Sequence, residues 1–162
     1  MTQPNREAHE LLFTNIGFLL GKTNQIKDRL LDQFLVEEEI TSSQVKVLFK
    51  LYYLKNQRSS DLSKSLNVDS GAITRMLDRL EKKHLIQRIA DPDDRRSVLI
   101  ELTDNGYIVT ARAIPLAQTA IDNLTECLTS EEKQNLLHCL SKIVGSFLPE
   151  ECYLSNQKDA KC

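Results

Sequence analysis

Arg75 and Arg79 stand one helical turn apart in the run VDSGAITRMLDRLEK, and Arg95 and Arg96 sit side by side in a polar turn that follows. A guanidinium keeps its charge and presents a planar fork of donors that matches phosphate oxygens and the N7/O6 edge of guanine. Arginines so placed, on a helix and on a neighbouring turn, suit the gripping of a polyanion rather than the making or breaking of bonds. The chemistry expected here is recognition of nucleic acid, with double-stranded DNA first.

The surrounding pattern shows which elements must hold these groups. Asp91-Pro92-Asp93-Asp94-Arg95-Arg96-Ser97 separates two β-prone runs, Leu85–Ile89 and Val98–Leu102, and so predicts a hairpin with an exposed tip. Upstream, Ile73, Leu77 and Leu80 recur at helical spacing, leaving Thr74, Arg75, Asp78, Arg79 and Lys82 on the outer face. Asp69 or Ser70 caps that helix after the tight connection Asn67-Val68-Asp69. A short helix, capped by Ser59 or Ser60 and ending near Leu66, comes before it. Two short helices with a basic outer face on the second make a helix-turn-helix, and the hairpin adds a wing.

Outside this module the chain reads as helices. Leu12, Ile16, Leu19, Leu20, Ile26, Leu30 and Phe34 form one apolar stripe, predicting a long helix from about Arg6 to Phe34, followed by a solvated acidic linker at Glu37-Glu38-Glu39. Thr41-Ser42-Ser43-Gln44 is a capping box for a helix that buries Val45, Val47, Leu48 and Leu51. Thr103 caps a helix running to about Cys127 with a kink at Pro115, and Thr129-Ser130-Glu131-Glu132 opens a last helix through Phe147.

The expected fold is mainly α with a small β-hairpin wing. Residues 6–36 form an N-terminal dimerisation helix, and 41–103 a winged helix-turn-helix (helix-turn-helix about 57–80, wing about 85–102). Residues 104–147 form C-terminal dimerisation helices, and 148–162 a flexible tail. The terminal helices carry apolar stripes with little core of their own, so they are expected to pack against a second copy as a homodimer.

Composition supports this reading. The formal net charge is −2, yet residues 41–103 hold 12 Lys+Arg against 8 Asp+Glu, a basic centre between acidic flanks. Nothing suggests a signal core or a membrane span, so a soluble cytoplasmic protein is expected. The four cysteines, Cys127, Cys139, Cys152 and Cys162, form no C-x-x-C pair, and the histidines are scattered, so no metal and no cofactor are expected. There is no nucleophile–base constellation and no phosphate-cradling glycine loop, which argues against an enzyme.

On DNA, Thr74 and Arg75 are the expected base readers in the major groove, and Arg79 a phosphate contact. Asp69 and Ser70, at the helix start, complete that edge. Arg95 and Arg96 are expected in the minor groove, Asp94 steadying Arg96, while Asp91 and Asp93 stabilise the turn.

At these residues the chain resembles the MarR family of bacterial transcription regulators. The resemblance is carried by NVDSGAITRMLDRL (Asn67–Leu80), by DPDDRRSVLIELTDNG across the wing, and by TSSQVKVL (Thr41–Leu48), and it covers about residues 10–147. It implies a triangular homodimer, joined through its first, fifth and sixth helices, that represses from an inverted repeat. The family's DNA contacts fall on Thr74, Arg75 and Arg96, with Asp94 steadying the wing. It also implies release by a small aromatic or phenolic ligand, whose contacts map to Ser59, Thr74 and Arg88 and, in a second set, to Ala72, Met76 and Arg79. Ser59 replaces a proline of the family, and Arg58 stands where the family often places an N-capping threonine. A transcriptional activator that displaces silencing proteins, or a protein-interaction adaptor, are the alternative readings.

Overall fold

Three helices of the first part of the chain begin where a polar side chain, of Asn15, Thr41 or Asp69, takes up a backbone donor that the helix itself leaves orphaned. The structure, a computed structural model, describes residues 14–92 and 97–147. Its contacts divide the chain into two units, Met1–Leu124 and Thr125–Cys162, and each is described by itself.

In the first unit, α1 spans Ile16–Phe34. Among the described residues the long helix expected from Arg6 starts at Ile16: Asn15 adopts an extended backbone and its side chain accepts from Phe18 N at 3.0 Å. A carboxamide that satisfies an orphan donor in this way starts a helix rather than continues one. Leu12 and the rest of residues 1–13 lie outside the described residues. Only Leu31 of α1 is buried, with Leu30 and Phe34 half-buried against the core, while Ile16, Leu19, Leu20 and Ile26 stay exposed.

Thr41 and Gln44 form the expected reciprocal capping box at the start of α2 (Ser42–Leu54), which buries Val45, Val47, Leu48 and Leu51. Two polar links fasten α1 to α2. Asp32 accepts from Ser42 N at 2.6 Å, and Asp28 pairs with Lys46 at 2.8 Å. The acidic turn between them is not simply solvated, because Glu38 pairs with Arg112 at 2.9 Å.

A two-residue strand, β1 (Gln57–Arg58), leads directly into α3 (Ser59–Leu66). Neither Ser59 nor Ser60 caps α3, since Arg58 holds the N-cap position without a side-chain cap bond. Asn67 takes the left-handed conformation (φ 51°) that stops α3, and Asp69 caps α4 (Ser70–Lys82) by accepting from Ala72 N at 2.9 Å.

The wing strands are β2 (Ile86–Ala90) and β3 (Val98–Leu102), and the sheet order is β1-β3-β2, antiparallel throughout. The first of them starts one residue later than expected, because Leu85 N is tied back to Leu80 O after the left-handed His84. Ile86, Ile100 and Leu102 point into the core with Ile73, Leu77 and Leu80 of α4.

Thr103 joins wing to helix. Its hydroxyl donates to His84 O at 2.6 Å and accepts from Gly106 N at 3.0 Å, opening α5 (Asp104–Leu124). Gly106 lies so close to the wing that a Cβ there would sit 1.9 Å from Leu85 O. The helix runs through Pro115 and ends at Leu124, short of the expected Cys127, where Thr125 O accepts from Leu128 N at 3.0 Å in a turn.

In the second unit, α6 (Ser130–Phe147) starts at the expected capping box. Glu132 accepts from Thr129 N at 2.8 Å, and Glu132 N donates to Thr129 Oγ1 at 3.3 Å. The bond from Thr129 N, with a second from the Thr129 hydroxyl at 2.9 Å, holds the Glu132 carboxyl below its ordinary range. Leu137, Ile143 and Phe147 are exposed along α6.

Candidate nucleic-acid interface

The inward stripe Ile73, Leu77 and Leu80 rotates α4 so that Thr74, Arg75, Arg79 and Lys82 face outward and exposed. Asp69 and Ser70 are exposed at the N-terminal end of the same helix. Thr74 donates its hydroxyl proton to Ser70 O at 2.7 Å, which leaves its oxygen as an outward acceptor. Arg75 lies back over Gly71: a Cβ built on that glycine would be 3.4 Å from Arg75 Nη1.

Charge is sorted by partner. Among the described residues no carboxylate holds Arg75, Arg79 or Lys82, whereas Arg58, Arg88 and Arg112 are each ion-paired. Arg88, on β2, reaches across to two acids of α4, Asp78 at 2.7 Å and Glu81. The carboxylates of α4 are thereby compensated from the sheet, and its arginines are left uncompensated outside. A helix face of this kind attracts phosphate.

At the wing, Asp94, Arg95 and Arg96 lie outside the described residues, as does Asp93. The hairpin base is described: Asp91 N donates to Ser97 O at 3.2 Å. Asp91, expected only to stabilise the turn, is 4% exposed and receives the Arg58 guanidinium at 2.5 Å. Sequence reasoning missed this pair because its members are 33 positions apart.

The residues mapped for a small ligand are spread over three elements. Ser59 opens α3 and is half-buried, Ala72 and Met76 are half-buried on α4 beside exposed Thr74 and Arg79, and Arg88 is engaged by its two acids. A separate cleft of about 300 Å³, lined by Glu37, Glu38, Lys83, Asn105 and Arg112 among others, was not foreseen. It forms where the α1–α2 connection, the end of α4 and the start of α5 meet, a junction with no local sequence signature.

Among the described residues, no group of three or more His, Cys, Asp or Glu side chains could hold a metal ion, and no helix is long and apolar enough to cross a membrane. Cys127 and Cys139 are exposed thiols, and Cys152 and Cys162 lie outside the described residues.

Comparison with known proteins agrees with this geometry. The MarR family profile matches residues 40–98, from just before α2 to the first residue of β3. The chain is 38% identical over 130 residues to the multiple antibiotic resistance protein MarR of Escherichia coli, covering 80% of this chain and 90% of that protein. It is 30% identical over 131 residues to the transcriptional repressor NicR of Pseudomonas putida, covering 81% and 83%. The structure of a mutant E. coli MarR complexed with operator DNA superposes with a TM-score of 0.72 at 38% identity, covering 81% of this chain and 94% of that one. A helix-turn-helix braced by a three-stranded sheet, with an unpaired cationic face on its second helix and this degree of identity along its length, places the chain in the MarR family of transcriptional regulators.

Proposed function

We propose that the protein is a homodimeric, sequence-specific repressor that binds an inverted repeat in double-stranded DNA and lets go when a small aromatic or phenolic acid binds. The observation that carries this reading is the row of uncompensated cations on α4. In the major groove, Arg75 reads guanine bidentately, Thr74 meets a neighbouring base edge or thymine methyl, and Arg79 holds phosphate. Asp69 and Ser70 set the depth of the helix start. Arg95 and Arg96 enter the flanking minor groove, with Asp94 steadying Arg96.

The exposed apolar residues of α1 and α6 support self-association, since paired half-sites require two recognition helices about one DNA turn apart. Ser59, Thr74 and Arg88, with Ala72, Met76 and Arg79, are the residues assigned to the effector. An aromatic carboxylate reaching Arg88 competes with Asp78 and Glu81, and so changes how α4 is held against the sheet. A hundredfold loss of operator affinity requires about 2.7 kcal/mol of coupling.

The test is selection from a random duplex pool at fixed salt, with Arg75→Ala and Arg96→Ala alongside. Enrichment of an inverted repeat that both substitutions weaken is the expected result. Retention of no duplex, or equal retention by both variants, overturns the reading in favour of a protein-interaction adaptor.

A further inference from the structure

Asp91 is the one charged side chain that is buried among the described residues. Its Oδ2 accepts from Arg58 Nε at 3.1 Å and from Arg58 Nη2 at 2.5 Å. Arg58 occupies the N-cap position of α3, where Ser, Thr, Asp or Asn would normally satisfy an orphan donor, and makes no such bond. Its side chain is committed to the wing instead of to its own helix.

Three points of the module meet at this pair. Arg58 is in β1, in register with Leu99 of β3, and is the last residue before α3. Asp91 directly follows β2, and its backbone N–H closes the hairpin base on Ser97 O. An ion pair so placed fixes direction as well as distance, because the guanidinium fork engages the carboxylate through two donors. Asp91 is buried while the Arg58 side chain is 45% exposed, and pairs at either extreme of burial commonly add little net stability, so a contribution to geometry is the property that sets this one apart.

We propose that Arg58 and Asp91 are positioning residues for DNA binding, fixing the direction in which the hairpin leaves the sheet relative to α4. The proposal rests on the DNA-binding reading above. The pair sets how far the wing reaches along the groove that flanks each half-site, and touches no base itself.

The experiment uses the full-length protein and a duplex that the unaltered protein retains from the random pool. Hydroxyl-radical cleavage reports the flanking minor groove, and methylation of guanine N7 reports the major groove. Arg58→Met is expected to weaken binding about tenfold, or about 1.4 kcal/mol, with flank protection lost and guanine protection kept. Arg58→Lys restores most of the affinity and the flank protection. The double substitution Arg58→Met with Asp91→Leu removes both charges of the pair together, so it reports the same split should Arg58→Met not fold. Flank protection equal to that of the unaltered protein overturns the proposal. So does a parallel fall of all protections, which marks loss of folded protein alone. Failure of the unaltered protein to retain any duplex is a different outcome, and it removes the DNA-binding reading and this one together.

Discussion

Arg88 Nη2 on β2 lies 2.7 Å from Asp78 Oδ1 on α4, so a strand of the wing neutralises an acid of the helix proposed to enter the major groove. Glu81 is held by the same guanidinium. Partly exposed pairs of this kind contribute at most about 1 kcal/mol to stability. Arg88→Ala is therefore expected to change the melting temperature only slightly. Its larger effect falls on DNA, because two acids are released beside Arg75 and Arg79. Titrations at low and high salt check this, with the greater loss at low salt; equal affinity at low salt would dismiss the electrostatic role.

Arg75 and Arg79 are expected to fail differently. Arg75→Ala costs about 1–3 kcal/mol on the selected duplex and relaxes preference at one position of each half-site. Arg79→Ala weakens all duplexes alike and lowers the salt dependence by about one counterion per protomer. Interchanged behaviour would reverse the two assignments.

Gly106 leaves no room for a side chain. A Cβ there meets Leu85 O at 1.9 Å, a backbone atom at the start of the wing. Gly106→Ala is expected to destabilise the fold by about 3 kcal/mol through overpacking, read as a shift in the denaturation midpoint with unchanged slope. An Ala variant as stable as the unaltered protein would show that α5 can slide away from the wing.

Acid should loosen the link between α1 and α2. Burial alone would raise the Asp28 carboxyl, but the hydrogen bond from Lys46 and the charges of Lys27 and Lys46 outweigh it and hold the group below its ordinary 3.8. A depressed carboxylate contributes stability that is fully present above its ordinary value and lost as pH falls through the lower folded one. Asp28→Asn is expected to flatten the acid limb of the stability curve in that window. An unchanged limb would assign acid sensitivity to other carboxylates.

Leu137, on α6, is 60% exposed. Leu137→Glu is expected to shift sedimentation from dimer towards monomer and to abolish tight operator binding while leaving helix content intact. A dimer of undiminished stability would move the self-association surface away from this face.

Much of the module was legible because its signals are local. Both capping boxes pair groups three positions apart, and the inward stripe Ile73, Leu77 and Leu80 is plain helical spacing. Tertiary choices were not legible. Two-residue β1 is too short to show alternation, and the Asp91 partner lies 33 positions away. Asn15 was read as interior to a helix because the apolar stripe continues across it, although its side chain is satisfied locally. Glu38 looked like a solvated linker residue until α5 brought Arg112 to it.

The brief pairing of β1 with β3 has a mechanical consequence. It stitches the entry to α3 onto the strand that returns from the wing, so among the described residues the start of α3 and the base of the hairpin are joined through one sheet. Motion originating at α1 or α5 must then carry both as a single paddle. Under the proposed DNA-binding function, release from each half-site is then expected to be all-or-none.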